Sequence, residues 1–450
     1  MMQDIEKTEE CKKDVVGTSL SRRDKIIFAI LFMSNITAPM CFTCIATFFN
    51  KEGEARGLSL GEIGVPFGIF NLFGFFFAPL IGKIIPIFGV RKVYIFSLIC
   101  VTVGTYLFAL THYIQNGTLF LSTTIALRIL QSFGNSGFFV SSLTCASNDY
   151  PSFRSFAISL IELAAGVGYT AGPSLGGMLY DFGSYQLPFI VLATILVSTV
   201  ILAYIYIPVS KQKPKVEDDL DNVQFGFKEL ASIKDAWFIL VTIFLVGIVF
   251  AFNNPTLPEI LNFLSSSHIA YFFLCISGTY ALITPVLGYL LDKYDCANTI
   301  VIIGQIAFIF SLVIIGPSMI FSFERNLFSI AIGCVFFGIA DAALYVPCLK
   351  QMMTIVQESN YPDSVQTNSL VSGVFSAFFN LGSFIGASCG AYLVSITSYR
   401  FTTTLFSAVL SVYFVIFVFL YILPRYCRNK KQITDKNNNT NKDKDKIAPA

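Results

Sequence analysis

The sequence predicts an all-α polytopic membrane protein with twelve transmembrane helices arranged as two six-helix halves. Of its 450 residues, 54% are apolar and only 13% are charged, and the mean hydropathy is +0.68. A soluble domain of this length could not keep so apolar a surface in water, so the bilayer is the expected solvent. Twelve apolar segments and a duplicated glycine pattern predict the helix count and the division into halves.

The apolar segments are each long enough to cross a bilayer, and several exceed one perpendicular crossing. Six lie in a first half, residues 26–207, and six in a second half, residues 237–423. A charged cytosolic linker, residues 208–236, separates the halves. Cytosolic tails occupy residues 1–25 and 424–450, and the composition of the second predicts disorder. The predicted spans are 26–50, 60–81, 93–111, 119–146, 154–180, 187–207, 237–261, 269–291, 299–316, 327–349, 366–394 and 401–423.

The glycine pattern is a ladder of small residues inside an apolar helix. Small residues at a spacing of four let membrane helices approach closely. A second copy with the same spacing lies in the second half, which predicts two similar halves with a substrate site between them, as in many secondary transporters. The first ladder comprises Gly168, Gly172, Pro173, Gly176 and Gly177, and the second comprises Gly382, Gly386, Ala387, Gly390 and Ala391.

The Lys and Arg residues of the loops predict the orientation in the membrane. With the N-terminus in the cytosol, the inner loops carry eleven of these residues and the outer loops carry four. Because cytosolic loops are enriched in Lys and Arg, both termini are expected in the cytosol. The four outer residues are Lys51, Arg56, Arg325 and Arg400.

A loop motif follows the second and the eighth spans. The later copy reads Gly288-x-x-x-Asp292-Lys293, and the earlier copy keeps Gly82 and Gly89 but has Pro86 at the acid position. With the glycine ladder, these motifs resemble the signature of the major facilitator superfamily. The resemblance implies transport by alternating access, with the loop motif as a conformational latch. A simple surface ion pair is the alternative for Asp292 and Lys293.

Further segments narrow the resemblance. Residues 48–54, 63–68, 160–162 and 370–377 are similar to the vesicular amine transporter family, most of all to its vesicular polyamine transporter branch. This implies proton-coupled import of a cationic amine into an acidic vesicle or organelle. The monoamine branch carries acids in helices one and seven, where this chain has Ser34 and Asn254, so monoamine or acetylcholine transport is not expected.

Asp341 is the first candidate for the transport chemistry. It stands in an apolar run of the tenth span, where a carboxylate costs on the order of 2–3 kcal/mol unless it faces a cavity, is paired or is protonated. Burial favours the protonated form, which prepares such a group to exchange protons. Tyr345 lies one turn on, on the same face. Asp341 also matches the acid of the tenth helix in the amine transporters, and a structural buried acid is the alternative.

Glu162 in the fifth span is the second candidate, and it matches a Glu of the polyamine branch. Helix rise places it about 12–14 Å from the cytosolic start of its helix and Arg128 about 13 Å from the opposite edge of the fourth span. The two side chains could therefore meet near mid-depth. One interpretation is a charge-neutralising pair that fixes helix packing. The other is a switch in which Glu162 leaves Arg128 to bind a proton or an amine.

Other polar side chains of the spans are candidates for the cavity lining. Arg128, Gln131 and Asn135 share one face of the fourth span, where Arg128-x-x-Gln131 also resembles a superfamily motif. Asn35 and Asn254 lie near prolines in the first and seventh spans, where they suit hydrogen bonds to an ammonium or a structural kink. Interhelical hydrogen bonding is the alternative for the stripe of the fourth span.

These observations predict a secondary transporter rather than an enzyme, energised by a proton gradient without a cofactor or metal. No P-loop for ATP occurs in the sequence. The expected partners are a cationic small molecule, protons and the lipid bilayer, without nucleic acid, and the chain is expected to be monomeric. A vesicle or organelle membrane is favoured over the plasma membrane. The alternatives are a proton-coupled exporter of other drugs or metabolites, and a sensor that retains the fold without transporting.

Overall fold

The computed structural model describes residues 22–58, 60–149, 154–207, 226–261, 266–294, 296–316 and 326–425. Most of the two predicted tails and of the predicted linker therefore lies outside the described residues. Twelve long helices run through the described part of the chain. They are α1 (Arg22–Thr43), α2 (Leu60–Phe88), α3 (Val90–Leu110), α4 (Gly117–Asp149), α5 (Arg154–Phe182), α6 (Leu187–Tyr206), α7 (Lys234–Ile260), α8 (Ser266–Lys293), α9 (Ala297–Ile315), α10 (Leu327–Glu358), α11 (Val365–Ile385) and α12 (Tyr399–Phe417).

Short helical pieces extend or connect these helices. A 3₁₀ turn, Cys44–Thr47, and a helix, Phe49–Glu54, follow α1. The helix α11 continues through a π-helical turn, Gly386–Gly390, into Ala391–Ile396, and α12 continues through a second π-helical turn, Val418–Ile422. The fold class predicted from the sequence, all-α with twelve long helices, is confirmed.

Eleven of these helices are both long and apolar enough to cross a membrane, and the exception is α4. Its 33 residues make it the longest helix of the described part of the chain. The hydropathy of α4 is lowered near the middle of the helix by Arg128, Gln131 and Asn135. Because α4 packs against α1, α2, α3, α5 and α11, much of its surface faces protein rather than lipid. A helix in that position can carry polar residues at membrane depth.

The two glycine ladders perform the same packing task in each half. A Cβ at Gly168 would clash with the carbonyl of Ile36, and one at Gly176 with the carbonyl of Cys44, so α5 lies directly on the backbone of α1 and of the 3₁₀ turn that follows it. A Cβ at Gly382 would clash with the carbonyl of Phe244, which places α11 on α7. The close approach expected from the repeated small residues is therefore observed twice.

The two halves meet mainly along two crossings, α2 with α11 and α5 with α8. We call the end of the bundle where α1 begins and α12 ends the termini face, and the other end the opposite face. The termini-face ends of α4 and α5 join the hydrophobic core of the second half. The residues they contribute are Leu143, Ala146, Ala157, Ile158 and Ile161. The halves are therefore packed against each other at the termini face.

Candidate functional site

Two buried carboxyl groups, one from each half, interact between the halves. Glu162 of α5 is 5% exposed and Asp341 of α10 is 7% exposed, and the two interact electrostatically. They come from different halves and from helices that are not equivalent in the repeat. A like-charged pair at this depth is unfavourable unless a proton or another cation is shared between the two groups.

Tyrosine hydroxyls surround the two acids. Tyr280 of α8 donates a hydrogen bond to Oε2 of Glu162 at 3.5 Å. Tyr345 also approaches the Glu162 carboxyl, from the same helix as Asp341. Tyr169 of α5 interacts with Glu162 and, through its hydroxyl, with Asn135 of α4. Tyrosines of α5, α8 and α10 thus interact with Glu162, and α4 contributes Asn135 beside Tyr169.

Aromatic rings continue from these tyrosines into the second half. The Tyr345 ring makes edge contacts with Phe375 at 5.2 Å and with Phe379 at 5.4 Å between centroids. Phe250 of α7 packs on Phe379 at 5.7 Å and on Tyr169 at 6.4 Å. Aromatic faces near paired carboxylates are a suitable environment for an ammonium group.

Each acid retains an oxygen that the protein does not satisfy. Oε1 of Glu162 and Oδ1 of Asp341 are buried without a hydrogen-bond partner. Within the described part of the chain, neither carboxyl forms an ion pair with a Lys, Arg or His side chain. Buried polar groups are normally satisfied, so two such oxygens on interacting carboxyl groups indicate a site that accepts protons or a cation.

The expected meeting of Arg128 with Glu162 does not occur. The fully buried guanidinium of Arg128 donates to Oε1 of Gln131 at 2.7 Å and to the carbonyl of Phe42 at 3.0 Å. It also lies over the rings of Phe42 and Phe108, each centroid 4.9 Å away. These contacts hold Arg128 among α1, α3 and α4, near the end of α1.

The reason is helix length, since both α5 and α4 are longer than the bilayer is thick. An α-helix rises by roughly 1.5 Å per residue, so α5 is about 43 Å long. By the same rise, Glu162 lies ~12 Å from the termini-face end of α5. Arg128 lies ~17 Å from the opposite-face end of α4. With the opposite-face ends of α4 and α5 taken as level, the two groups differ by about 15 Å in depth, whereas spans of bilayer thickness would have brought them level.

The predicted polar stripe of α4 divides between two neighbourhoods. Gln131 joins Arg128 to α3 by donating to Oγ1 of Thr105 at 3.1 Å. Asn135, which is half-buried, lies instead beside the hydroxyl of Tyr169. Only Asn135 of the three is thus near the two acids, while Arg128 and Gln131 form an interhelical hydrogen-bond network.

The two asparagines predicted beside prolines have different outcomes. Asn35 is fully buried, and its Nδ2 donates to the carbonyl of Leu31 at 2.8 Å and to Oγ of Ser142 in α4 at 3.1 Å. Its Oδ1 has no partner. Asn35 therefore ties α1 to α4 with one acceptor left over. The side chain of Asn254 lies outside the described residues.

The loop-motif residues lie at the termini face. Oδ2 of Asp292 accepts a hydrogen bond from the backbone N–H of Phe156, at the start of α5, at 2.9 Å. Oδ1 of Asp292 is 3.9 Å from Nζ of Lys350. Lys293 lies instead over the rings of Tyr289 and Tyr294. The side chain of Asp292 thus bridges the halves, and the surface pair of Asp292 with Lys293 is not observed.

The first-half copy of the motif makes a different contact. The backbone of Gly82 lies against Ser369 of α11, whose Oγ donates to the Gly82 carbonyl at 2.9 Å. Gly89 has a φ of +85°, which an L-residue rarely adopts, so glycine is required at this start of α3. Pro86 offers no carboxylate to the neighbouring helix.

Sequence reasoning missed Tyr280, whereas Tyr345 could be chosen because it lies one turn from Asp341. Tyr280 is one of 20 tyrosines in the chain, and no charged residue stands near it in sequence. Its relation to Glu162 arises only from the packing of α8 on α5. No local signal in the sequence would have separated it from a packing residue.

Comparison with known proteins assigns the family. A model described as the Major Facilitator Superfamily matches residues 31–360 and, in a second match, residues 239–444. The chain belongs to the major facilitator superfamily. It is therefore a multi-pass membrane transporter, not an enzyme, that moves a small molecule across a bilayer.

Relatives within the superfamily are distant but extend over most of the chain. The MFS-type transporter SLC18B1 of Mus musculus is 25% identical over 378 residues, covering 83% of this chain and 81% of the relative. The SLC18B1 of Homo sapiens is 24% identical over 379 residues, with the same coverage. The crystal structure of the human organic anion transporter MFSD10 (TETRAN) aligns with a TM-score of 0.68 at 16% identity, covering 88% of this chain and 99% of that one. This likeness of structure confirms the superfamily fold.

Proposed function

We propose that this transporter exchanges protons for a cationic amine carrying two or more ammonium groups, a polyamine, across the membrane of an acidic vesicle or organelle. The observation that carries the proposal is the pair of buried acids, Glu162 and Asp341, each with an unsatisfied oxygen. Within the described part of the chain, no cationic side chain neutralises them, so the neutralising charge must come from protons or substrate.

Exchange follows from the chemistry of a buried carboxyl. The carboxylate can bind a proton or an ammonium, but holding both leaves an uncompensated charge in a low-dielectric site. A proton arriving from the acidic side therefore displaces the amine, and an amine arriving from the cytosol requires the proton to leave. Two acids match a substrate with two ammonium groups, and the rings of Tyr345, Phe375 and Phe379 supply aromatic faces for its charged ends.

The distribution of charge in the loops supports a direction. The excess of Lys and Arg on the loops of the termini face favours placing that face in the cytosol. In this orientation, the described conformation is packed closed toward the cytosol. Protons would enter from the opposite face, which would be the lumen of the vesicle.

Spermidine uptake into proteoliposomes tests the proposal. The purified protein is reconstituted in vesicles with an acidic interior, and labelled spermidine is added outside with or without a proton ionophore. We expect accumulation that the ionophore abolishes. Absence of accumulation by folded protein would contradict the polyamine assignment, and a panel of other cations would then test the broader exporter. Binding without accumulation of any of them would favour a sensor.

Substitution of Asp341 tests the site itself. Asp341→Asn keeps the shape but removes the charge, and we expect it to abolish accumulation while Asp341→Glu retains part of it. Asp181→Asn is the matched control, because Asp181 is exposed at the end of α5. Full accumulation by Asp341→Asn would remove this acid from the mechanism.

A further inference from the structure

Tyr280 crosses the interface between the halves at the depth of the two acids. It belongs to α8 of the second half, and its side chain is buried against α5 of the first half. A Cβ placed on Gly166 would lie 2.7 Å from Cε1 of the Tyr280 ring. Glycine at position 166 therefore leaves the space that the ring occupies, one turn from Glu162.

The Tyr280 hydroxyl interacts with both acids. It donates to Oε2 of Glu162 at 3.5 Å, and it interacts electrostatically with Glu162 and Asp341. The hydrogen bond is long, and the second oxygen of Glu162 has no partner. An ammonium group entering between the acids can thus approach Glu162 without first removing a short, strong hydrogen bond.

A second hydroxyl, that of Tyr345, also approaches the Glu162 carboxyl, but it comes from α10, the helix that carries Asp341. Within the described part of the chain, the Glu162 carboxyl interacts with the side chains of Asp341, Tyr280 and Tyr345. The Tyr169 hydroxyl also interacts electrostatically with Glu162. Arg128, the one cation of α4, is engaged by Gln131 and the carbonyl of Phe42. Among these groups, Tyr280 alone reaches the Glu162 carboxyl from α8, the helix that crosses α5.

We propose that Tyr280 is a positioning residue that orients the Glu162 carboxyl and favours its charged form, and so sets the affinity for the cationic substrate. This inference rests on the proposed exchange of protons for an amine at the two acids. A hydroxyl that donates to a carboxylate favours the charged form, which binds an ammonium, over the protonated form, which does not. Because the ring comes from the other half, this support is present when the halves are packed together at α5 and α8.

Tyr280→Phe tests the inference in assays of spermidine uptake by acidic proteoliposomes. Because the hydrogen bond is long, its loss should have the effect of an ordinary hydrogen bond, a rise of about five-fold in the KM for spermidine, with Vmax within about two-fold. The external pH for half-maximal uptake moves to a higher value, because more alkaline conditions are needed to deprotonate Glu162. Tyr289→Phe, on the exposed side of α8, is the control and leaves all three values unchanged.

A second variant tests the same contact in case Tyr280→Phe misfolds. Gly166→Ala keeps the Tyr280 hydroxyl but pushes the ring away, and we expect the same rise in KM. An unchanged KM and pH profile in Tyr280→Phe overturns the inference. If Tyr280→Phe is not monodisperse, an unchanged KM and pH profile in Gly166→Ala overturns it instead. In either case, uptake by the wild type leaves the proposed function intact. Lack of uptake by the wild type overturns the proposed function, and the role of Tyr280 falls with it.

Discussion

The first half packs α5 on α1 through Gly168, and the second half packs α11 on α7 through Gly382, each glycine against a backbone carbonyl. The chemical groups do not follow this repeat. When the two ladders are aligned glycine on glycine, Ser376 in α11 takes the position that Glu162 holds in α5. Both side chains are buried and both have an unsatisfied oxygen, but only Glu162 can carry a negative charge.

The loop motifs differ in the same manner. Asp292 of the second half bonds to the N-terminus of α5, whereas Pro86 of the first half cannot bond to the N-terminus of α11. The duplicated scaffold is therefore retained for helix packing, while charged groups are kept in one copy each. Alternating access requires two similar bodies, but a binding site for one substrate does not require two copies of its charges.

The largest expected difference between the halves concerns Glu162 and Ser376. In the proposed function, Glu162→Gln leaves a buried substrate ammonium without its counter-charge, which costs about 3–5 kcal/mol, so this variant should lower spermidine accumulation by at least about 100-fold. Ser376→Ala removes a hydroxyl that has no partner and should change accumulation by less than about two-fold. Uptake by proteoliposomes measures both. Equal losses in the two variants would mean that the acid position is shared by the halves after all.

Substitutions in the ladders should affect the two halves alike. A Cβ at Gly168 or Gly382 meets a backbone carbonyl that cannot move aside, so Gly168→Ala and Gly382→Ala should each destabilise the protein by about 1–3 kcal/mol. Gly278→Ala in α8 is the control, because no atom lies within 4 Å of its Cβ position. In Gly278→Ala, the higher helix propensity of Ala should raise the free energy of unfolding by up to about 1 kcal/mol.

Thermal unfolding in detergent measures this pair of predictions. We expect lower midpoints for both ladder variants and an unchanged or higher midpoint for Gly278→Ala. A midpoint lowered in only one of the two ladders would show that the halves are not packed equivalently.

Much of the fold was predictable from the sequence because its determinants are local. Hydropathy locates the spans, and glycines at a spacing of four identify a helix face that lies against another backbone. Both depend on residues a few positions apart. The exception, α4, shows the limit of hydropathy, since its polar residues are compatible with a membrane helix only because α4 is surrounded by other helices.

The candidate site was predictable only in part. Asp341 and Glu162 could be chosen because a carboxylate within an apolar span is costly wherever it lies. Their proximity, the separation of Glu162 from Arg128 and the presence of Tyr280 depend on helix lengths and on the crossing of α5 with α8. A single sequence does not specify how deep each helix sits beside its neighbour.

The smallest expected difference concerns the starts of α5 and α11 at the termini face. The Phe156 N–H at the start of α5 is bonded to Asp292 from the other half. The Thr367 N–H at the start of α11 is bonded to Ser364 of its own chain segment, at 3.2 Å. Loss of an N-cap typically costs about 0.5–2 kcal/mol, so Asp292→Ala should speed amide exchange at the start of α5 by about 2- to 30-fold.

Hydrogen–deuterium exchange of peptides from the two helix starts decides whether the caps are independent. Asp363→Ala is the comparison variant, because Asp363 pairs with Arg154 at the start of α5 at 2.6 Å and accepts from Nδ2 of Asn368 in α11 at 2.7 Å, but provides neither the Phe156 bond nor the Thr367 bond. Asp363 is 42% exposed, and such pairs contribute at most about 1 kcal/mol. We expect little change in amide exchange at Thr367 in this variant.

If both variants sped amide exchange equally at both helix starts, the termini face would be opening as one unit. Asp292 would then act on the packing of the halves rather than on its own helix contact. If only α5 responded to Asp292→Ala, the halves would differ at this face as they do at the acids, with one helix start held across the interface and the other held from within.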